Sequence, residues 1–358
     1  MMKYVMVLVI LLMPVTAAAQ NASTGAVPEG IVVSAPAPGS GVLLLADSAA
    51  QAPTPAARSG SEPRRRPSMV GYVGDSTIGS QVRVRFDAGR NLVAADRAEF
   101  FYGKCGCYRG LPKTHPFYDA NAPGPGSSQF AWLEGLNFEQ LYILGEYAVK
   151  DRVSLFAEMP VRWISPLRFN AAGGTFGNQS GASDLRAGVK LSAMSTDRRQ
   201  VTVSVMVTAP TGDAAKGLGT DHASVEPVLL YSEQMDKFGI EAQFGDVIAT
   251  GGSAGLPTSG SDKFAGNVLY YGFGPSFDVY NKGGVRFAPV IELVGWHLLG
   301  GFETLDTSSV KGMNIVNLKV GARVVMANKS SIYIGYGKAL TDNTWYDKIV
   351  RAEYRVGF

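Results

Sequence analysis

The chain has 358 residues, 46% hydrophobic, 10% aromatic and 18% charged, with 33 basic against 30 acidic residues, 43 glycines and two cysteines. That composition excludes a disordered chain, a disulfide scaffold and a nucleic-acid binder. It also excludes a helical membrane protein, because the one continuous apolar run is shorter than the ~20 residues a spanning helix needs.

That run opens the chain. Lys3 supplies a positive start, Tyr4–Val15 an apolar stretch and Ala17-Ala18-Ala19 a small-residue cleavage site. Residues 1–19 therefore read as an export signal, with Gln20 as the mature N-terminus. No cysteine follows the site, which argues against a lipoprotein. Residues 20–78, rich in Ala, Pro, Ser and Gly at their start, read as a disordered periplasmic extension. Its Arg64-Arg65-Arg66 run fits a solvated linker; a periplasmic contact or a plug inside a barrel is the alternative.

From Gly79 the pattern changes to period two. Val82, Val84 and Phe86 alternate with Arg83, Arg85 and Asp87. The same alternation recurs to the C-terminus, where Val350, Ala352, Tyr354, Val356 and Phe358 alternate with Arg351, Glu353 and Arg355. Twelve strands are expected, near 79–88, 135–148, 152–164, 183–194, 199–209, 223–233, 238–248, 266–280, 284–298, 313–327, 330–339 and 347–358. Arg97–Lys104 lacks alternation and is assigned to a loop. Short polar turns alternate strictly with longer connections, as in outer-membrane barrels with short periplasmic turns and long extracellular loops. The fold class is thus all-β: a transmembrane antiparallel up-and-down β-barrel over 79–358, embedded in outer-membrane lipid, with both termini periplasmic. A secreted β-sandwich would also alternate, but its second face would be merely polar rather than charged on nearly every strand.

The register assigns the residues further. Trp132, Trp163, Trp296 and Trp345 fall at extracellular strand ends, where an interfacial aromatic girdle belongs. The lumen-lining candidates are basic (Arg83, Arg85, Arg162, Arg186, Lys190, Arg286, Lys319, Arg323, Arg351, Arg355) and acidic (Asp87, Glu146, Glu158, Asp184, Glu226, Glu241, Asp278, Glu292, Glu353). They nearly balance, so most should pair structurally, and strong ion selectivity is not expected. Gly272, Gly274, Gly321, Gly335 and Gly337 also face inward; wall curvature is the expected reason, room for a ligand or plug the alternative. Tyr142, Phe156, Tyr270 and Tyr333 add inward aromatic rings. Phe358 closes a strand of the right period, the form of signal the barrel-assembly machinery reads.

No catalytic or metal constellation emerges. Gly251-Gly252-Ser253-Ala254-Gly255 matches a nucleophile elbow only formally, in a loop with no helix after it. His297, beside Trp296, is the best-placed residue for an interfacial hydrolase but has no partner in sequence. Cys105-Gly106-Cys107 reads as a strained loop disulfide; with His115 it falls short of a four-ligand metal site. No cofactor is expected.

At Ala209-Pro210-Thr211-Gly212-Asp213, then Gly217-Leu218-Gly219-Thr220 and Glu226-Pro227, the chain resembles the outer-membrane transporter family linked to the meta pathway of phenol degradation. Glu146-Tyr147 followed by Val153–Arg162 is similar too, so the resemblance runs over 136–358. The N-terminal extension and the Cys-Gly-Cys loop depart from it. The resemblance implies uptake of hydrophobic or aromatic compounds and supplies no catalytic residues. The expected function is a channel or transporter for small solutes. The alternatives are a sealed structural barrel whose loop 89–134 binds a partner, and an outer-membrane hydrolase.

Overall fold

The computed structural model describes residues 67–93, 113–114, 118, 133–169, 172, 176–250, 265–303 and 308–358. Their strands are β1 (Gln81–Leu92), β2 (Leu133–Lys150), β3 (Val153–Phe169), β4 (Gln179–Ala182), β5 (Leu185–Ser195), β6 (Arg199–Ala209) and β7 (Ala223–Met235). They continue as β8 (Phe238–Thr250), β9 (Val268–Phe277), β10 (Tyr280–Lys282), β11 (Val285–Leu298), β12 (Asn314–Val325), β13 (Ser330–Ala339) and β14 (Lys348–Gly357). β4 and β5 both pair with β3, and β9 and β10 both pair with β11, so each couple is one stave broken by an irregularity. The fourteen segments make twelve staves, each antiparallel to its neighbours, and β1 pairs with β14 to close the barrel. Among the described residues, one 3₁₀ turn, Ala214–Lys216, is the only helical element.

The staves exist where the alternation placed them, because a closed sheet separates two solvents. Val82, Val84, Phe86, Ile143, Phe244, Ile291 and Ile334 all project outward and are exposed. Asp87, Glu158, Glu292, Lys319, Arg323 and Glu353, at the opposite parity, are buried inside. An exposed apolar belt around a charged interior is inside out for water and right for lipid. It overturns the β-sandwich alternative, and the chain is an outer-membrane β-barrel. Tight connections gather at one end: Asp236 (φ 47°) and Lys329 (φ 63°) take left-handed turn conformations, and Gly283-Gly284 do so consecutively. The long connections gather at the other end.

The mouth at the long-loop end is filled. Leu136, Phe138, Ile164, Leu218, Leu298, Ile315, Trp345 and Ile349 form one buried apolar cluster there, with Tyr72 and Trp296 packed against it. This corrects the girdle. Trp163 stands on the outer wall, 40% exposed, whereas Trp345 is buried and Trp296 shares the inward parity of Glu292. Trp132 and the 97–104 segment lie outside the described residues.

The boundary at Ile78 is corrected as well. Residues 67–79 are not an extension but a loop that enters the lumen. Met69, Val70 and Val73 are buried against Ala288, Val290, Val325 and Tyr333. Pro67, Ser68 and Thr77 all lie beside the short turn Thr196–Arg199, so the loop enters and leaves at the short-turn end with Tyr72 near its tip. The Arg64–Arg66 run lies outside the described residues.

Candidate functional site

The wall holds the inserted loop largely by its main chain. Glu292 accepts hydrogen bonds from the N–H groups of Gly71 (3.0 Å), Tyr72 (2.7 Å) and Val73 (2.7 Å), and from the Tyr333 hydroxyl (2.9 Å). Glu241 accepts from Met69 N–H (2.8 Å), and Gln243 from Gly74 N–H (2.6 Å). Arg323 donates to the carbonyls of Met69 and Val70, and Arg351 to that of Gly71. The Ser76 carbonyl accepts from Gln200 and Thr202, both at 2.6 Å. A loop with no internal ladder must satisfy its buried polar groups this way or not be buried at all.

Side chains complete the fit. Asp75 pairs with Arg355 at 2.9 Å. The Tyr72 ring makes two cation–π contacts, with Lys319 Nζ at 4.0 Å and the Arg351 guanidinium at 4.1 Å from its centroid. A Cβ at Gly71 would come within 2.1 Å of the Tyr333 ring, so this position needs glycine. The inward wall glycines have the same purpose. A Cβ at Gly274 would meet Val70 at 2.7 Å, one at Gly272 would meet Val73 at 3.0 Å, and Gly321 and Gly335 make room for Tyr333. The expectation of curvature relief is thus corrected at these four positions to accommodation of the loop and of Tyr333. Gly337 packs instead against Ile349 and Lys319.

Beside the loop lies a cavity of about 390 Å³. It is lined by tip residues Tyr72–Asp75, by Arg83, Arg85, Arg162, Arg186 and Lys190, by Glu146, Glu158, Asp184 and Glu226, and by Tyr142, Phe156, Tyr270 and Trp296. Glu158 is the shared acid: Arg83 lies 3.1 Å, Arg186 3.5 Å and Arg85 3.9 Å away. Glu146 pairs with Lys190 at 3.0 Å and accepts from Ser154 at 2.6 Å.

The remaining candidates form a second network, touching the first where Arg85 nears Asp87 and Arg83 nears Glu353. Arg323 and Arg355 both bind Glu353, Arg351 binds Asp87 with two bonds of 2.6 and 2.7 Å, and Arg286 binds Asp278. Glu241, Glu292 and Lys319 face the inserted loop.

The Ala209–Thr220 segment folds back over the long-loop side of the cavity. Asp184 accepts from Gly212 N–H (2.9 Å), Thr220 N–H (2.8 Å) and the Thr220 hydroxyl (2.9 Å). Arg162 donates to the Gly217 carbonyl, and Leu218 is buried in the mouth cluster. A Cβ at Gly212 would strike the Leu218 carbonyl at 2.4 Å, which explains a glycine there. His222 borders the cavity; burial, partly offset by its bond to the Thr220 carbonyl, holds its imidazole below the ordinary value. Burial pushes the neighbouring Asp221 carboxyl up.

His297 lies on the outer parity and bonds Asn314 Oδ1 at 2.7 Å. Cys105, Cys107, His115 and Gly251–Gly255 lie outside the described residues. Phe358, 70% exposed, donates its N–H to the Ser80 carbonyl at the β1–β14 seam. Missed by sequence reasoning were Met69–Ser76, Gln140 and Gln243. One signal was available: after the Pro- and Arg-rich stretch, Met69-Val70-Gly71-Tyr72-Val73-Gly74 turns apolar and glycine-spaced before the first strand.

No family model matches the chain, and no curated protein does. Among solved structures it is similar to an outer membrane channel from Pseudomonas putida F1, at 17% identity and TM-score 0.47 over 78% of this chain and 96% of that one. It is also similar to the beta domain of the Bordetella autotransporter BrkA, at 13% and 0.44 over 78% and 100%. The NanC porin follows at 10% and 0.39 over 78% and 98%. Likeness at this level fixes neither solute nor activity.

Proposed function

We propose that the chain is an outer-membrane channel for small solutes, with the short-turn end facing the periplasm and the 67–79 loop as an internal stop. The observation that carries this reading is the 390 Å³ cavity left inside a closed wall, between the inserted loop and the Asp184-anchored segment. A purely structural barrel of this size has no need of such a space. Its mixture of apolar, aromatic and charged lining supports solutes with an apolar or aromatic body, in line with the sequence resemblance to meta-pathway transporters. Export by residues 1–19 and recognition of the Phe358 strand by the barrel-assembly machinery belong to the same proposal. The sealed-barrel reading draws on the apolar cluster that fills the mouth at the long-loop end. Flux into proteoliposomes and planar-bilayer conductance separate the two. The channel predicts solute-dependent swelling and discrete conductance steps. Absence of both, from protein whose gel mobility remains heat-modifiable, supports the sealed barrel instead.

A further inference from the structure

The charged residues of the lumen nearly balance in number, but they are not evenly spent. Arg85 has five N–H donors and, among the described residues, makes no hydrogen bond. Its side chain is 13% exposed and faces the cavity. Its two nearest acids already serve other residues. Asp87, 3.5 Å from Arg85, is held by two short bonds from Arg351. Glu158, 3.9 Å away, is shared with Arg83 and Arg186.

The neighbours Arg83 and Arg186 each bond Glu158 but keep an unbonded donor. The Nε atoms of Arg83 and Arg186 are buried without a hydrogen bond, and so is Nε2 of Gln140, a residue only 2% exposed that also lines the cavity. The other carboxylates of the lining are engaged. Glu146 binds Lys190 and Ser154, Asp184 binds loop amides, Asp75 binds Arg355, and Glu226 accepts from the Tyr270 hydroxyl at 2.6 Å. A cluster of guanidinium donors facing a cavity, paired to Asp87, Glu158 and Glu353 only at 3.5–3.9 Å for Arg85 Nε, Arg85 Nη2 and Arg83 Nε, is an incomplete set of charge-assisted bonds.

We propose that Arg85, flanked by Arg83 and Arg186, is the head of a binding site for an organic carboxylate with a compact apolar body. The planar fork of Arg85 lies over the Tyr142 ring, 3.7 Å from its centroid, which fixes its orientation while leaving its edge for a planar carboxylate. Leu144, Phe156, Met206 and Val228 supply apolar surface for the body of the ligand. The volume lies within the ~300–1,000 Å³ usual for small-molecule sites. This inference names a solute class for the proposed channel and rests on that reading for its biological meaning, but binding is measured independently of transport.

The test is isothermal titration of the full-length protein in detergent with benzoate, its neutral counterpart benzyl alcohol, and sulfate. Benzoate should bind saturably and about tenfold or more tighter than benzyl alcohol, the scale of one charge-assisted hydrogen bond. Arg85→Gln should remove that difference while leaving benzyl alcohol unchanged. Arg85→Lys keeps the charge without the fork and should be intermediate; heat-modifiable mobility establishes that each variant folds. Equal affinity for benzoate and benzyl alcohol, no saturable benzoate binding by the wild type, or unchanged binding in a folded Arg85→Gln barrel overturns the site. Sulfate competing as well as benzoate overturns the apolar-body requirement. Benzoate that binds but never crosses proteoliposomes refutes the channel and leaves the site; solute flux without benzoate binding does the reverse.

Discussion

Glu292→Ala removes the acceptor that holds the tip of the inserted loop. Glu292 is fully buried and serves three consecutive backbone N–H groups. Each donor left buried without a partner costs about 1–3 kcal/mol, so the variant loses about 3–9 kcal/mol if the loop stays in place. Opposing its release is the burial of Met69, Val70 and Val73, worth about 1.5–3 kcal/mol for each side chain. The anchors at Glu241, Gln243, Arg323, Arg351 and Arg355 also remain, so the tip should loosen while the loop stays inserted. Planar-bilayer recording should then show larger or longer openings than the wild type. Glu292→Gln keeps the volume and one carbonyl acceptor and should show a smaller change. Unaltered conductance amplitude and open time in a folded Glu292→Ala barrel would refute the account of what keeps the loop in place.

Other outcomes follow from the same contacts. Gly71→Ala should disturb the loop through the 2.1 Å clash with Tyr333 and lengthen channel openings; unchanged conductance in a folded barrel counts against a steric requirement for glycine. Asp184→Ala orphans two loop N–H groups and one hydroxyl, at about 1–3 kcal/mol each, so limited proteolysis within 210–222 should accelerate; an unchanged digestion rate contradicts that anchor. His222 has a folded pKa below its unfolded value of about 6.5, so its contribution to stability is full above that pH and declines as pH falls through the folded value. Heat-modifiable transition temperatures should therefore drop on acidification below about pH 6.5, and His222→Gln should lessen the drop; an equal drop in both assigns it to other groups.

Twelve staves were legible because the two faces of a barrel wall meet different solvents, and a period of two records that contrast residue by residue. The interruptions were not legible: Gln179–Ala182 falls in a stretch read as a connection, and Asn281-Lys282 in one read as a turn. The inserted loop was not legible, because its partners grip main-chain groups, which any sequence carries. The tryptophans show the limit of placing residues by strand end alone. Trp296 keeps the parity of Glu292, so its inward position was implicit in the alternation, whereas Trp345 sits in a connection that folds into the mouth. The near balance of lumen charge is a sum, and a sum carries no position. Glu241 and Glu292 serve the loop and Glu353 bonds Arg323 and Arg355, reaching Arg83 only at 3.9 Å, which leaves the arginines around Glu158 loosely paired.

Arg351 belongs to the last stave, Asp87 to the first, and Gly71 to the loop that precedes the first; one guanidinium joins all three. Arg355, also on the last stave, repeats the pattern with Asp75. Sealing the cylinder and stoppering it are therefore coupled through Arg351. While β1 and β14 are apart, Arg351 lacks Asp87, whereas Arg355 keeps Glu353 and the loop keeps its carbonyl bonds from Arg323, Gln200 and Thr202. The loop is thus tied to the closing seam by the same side chain that cross-links its two strands.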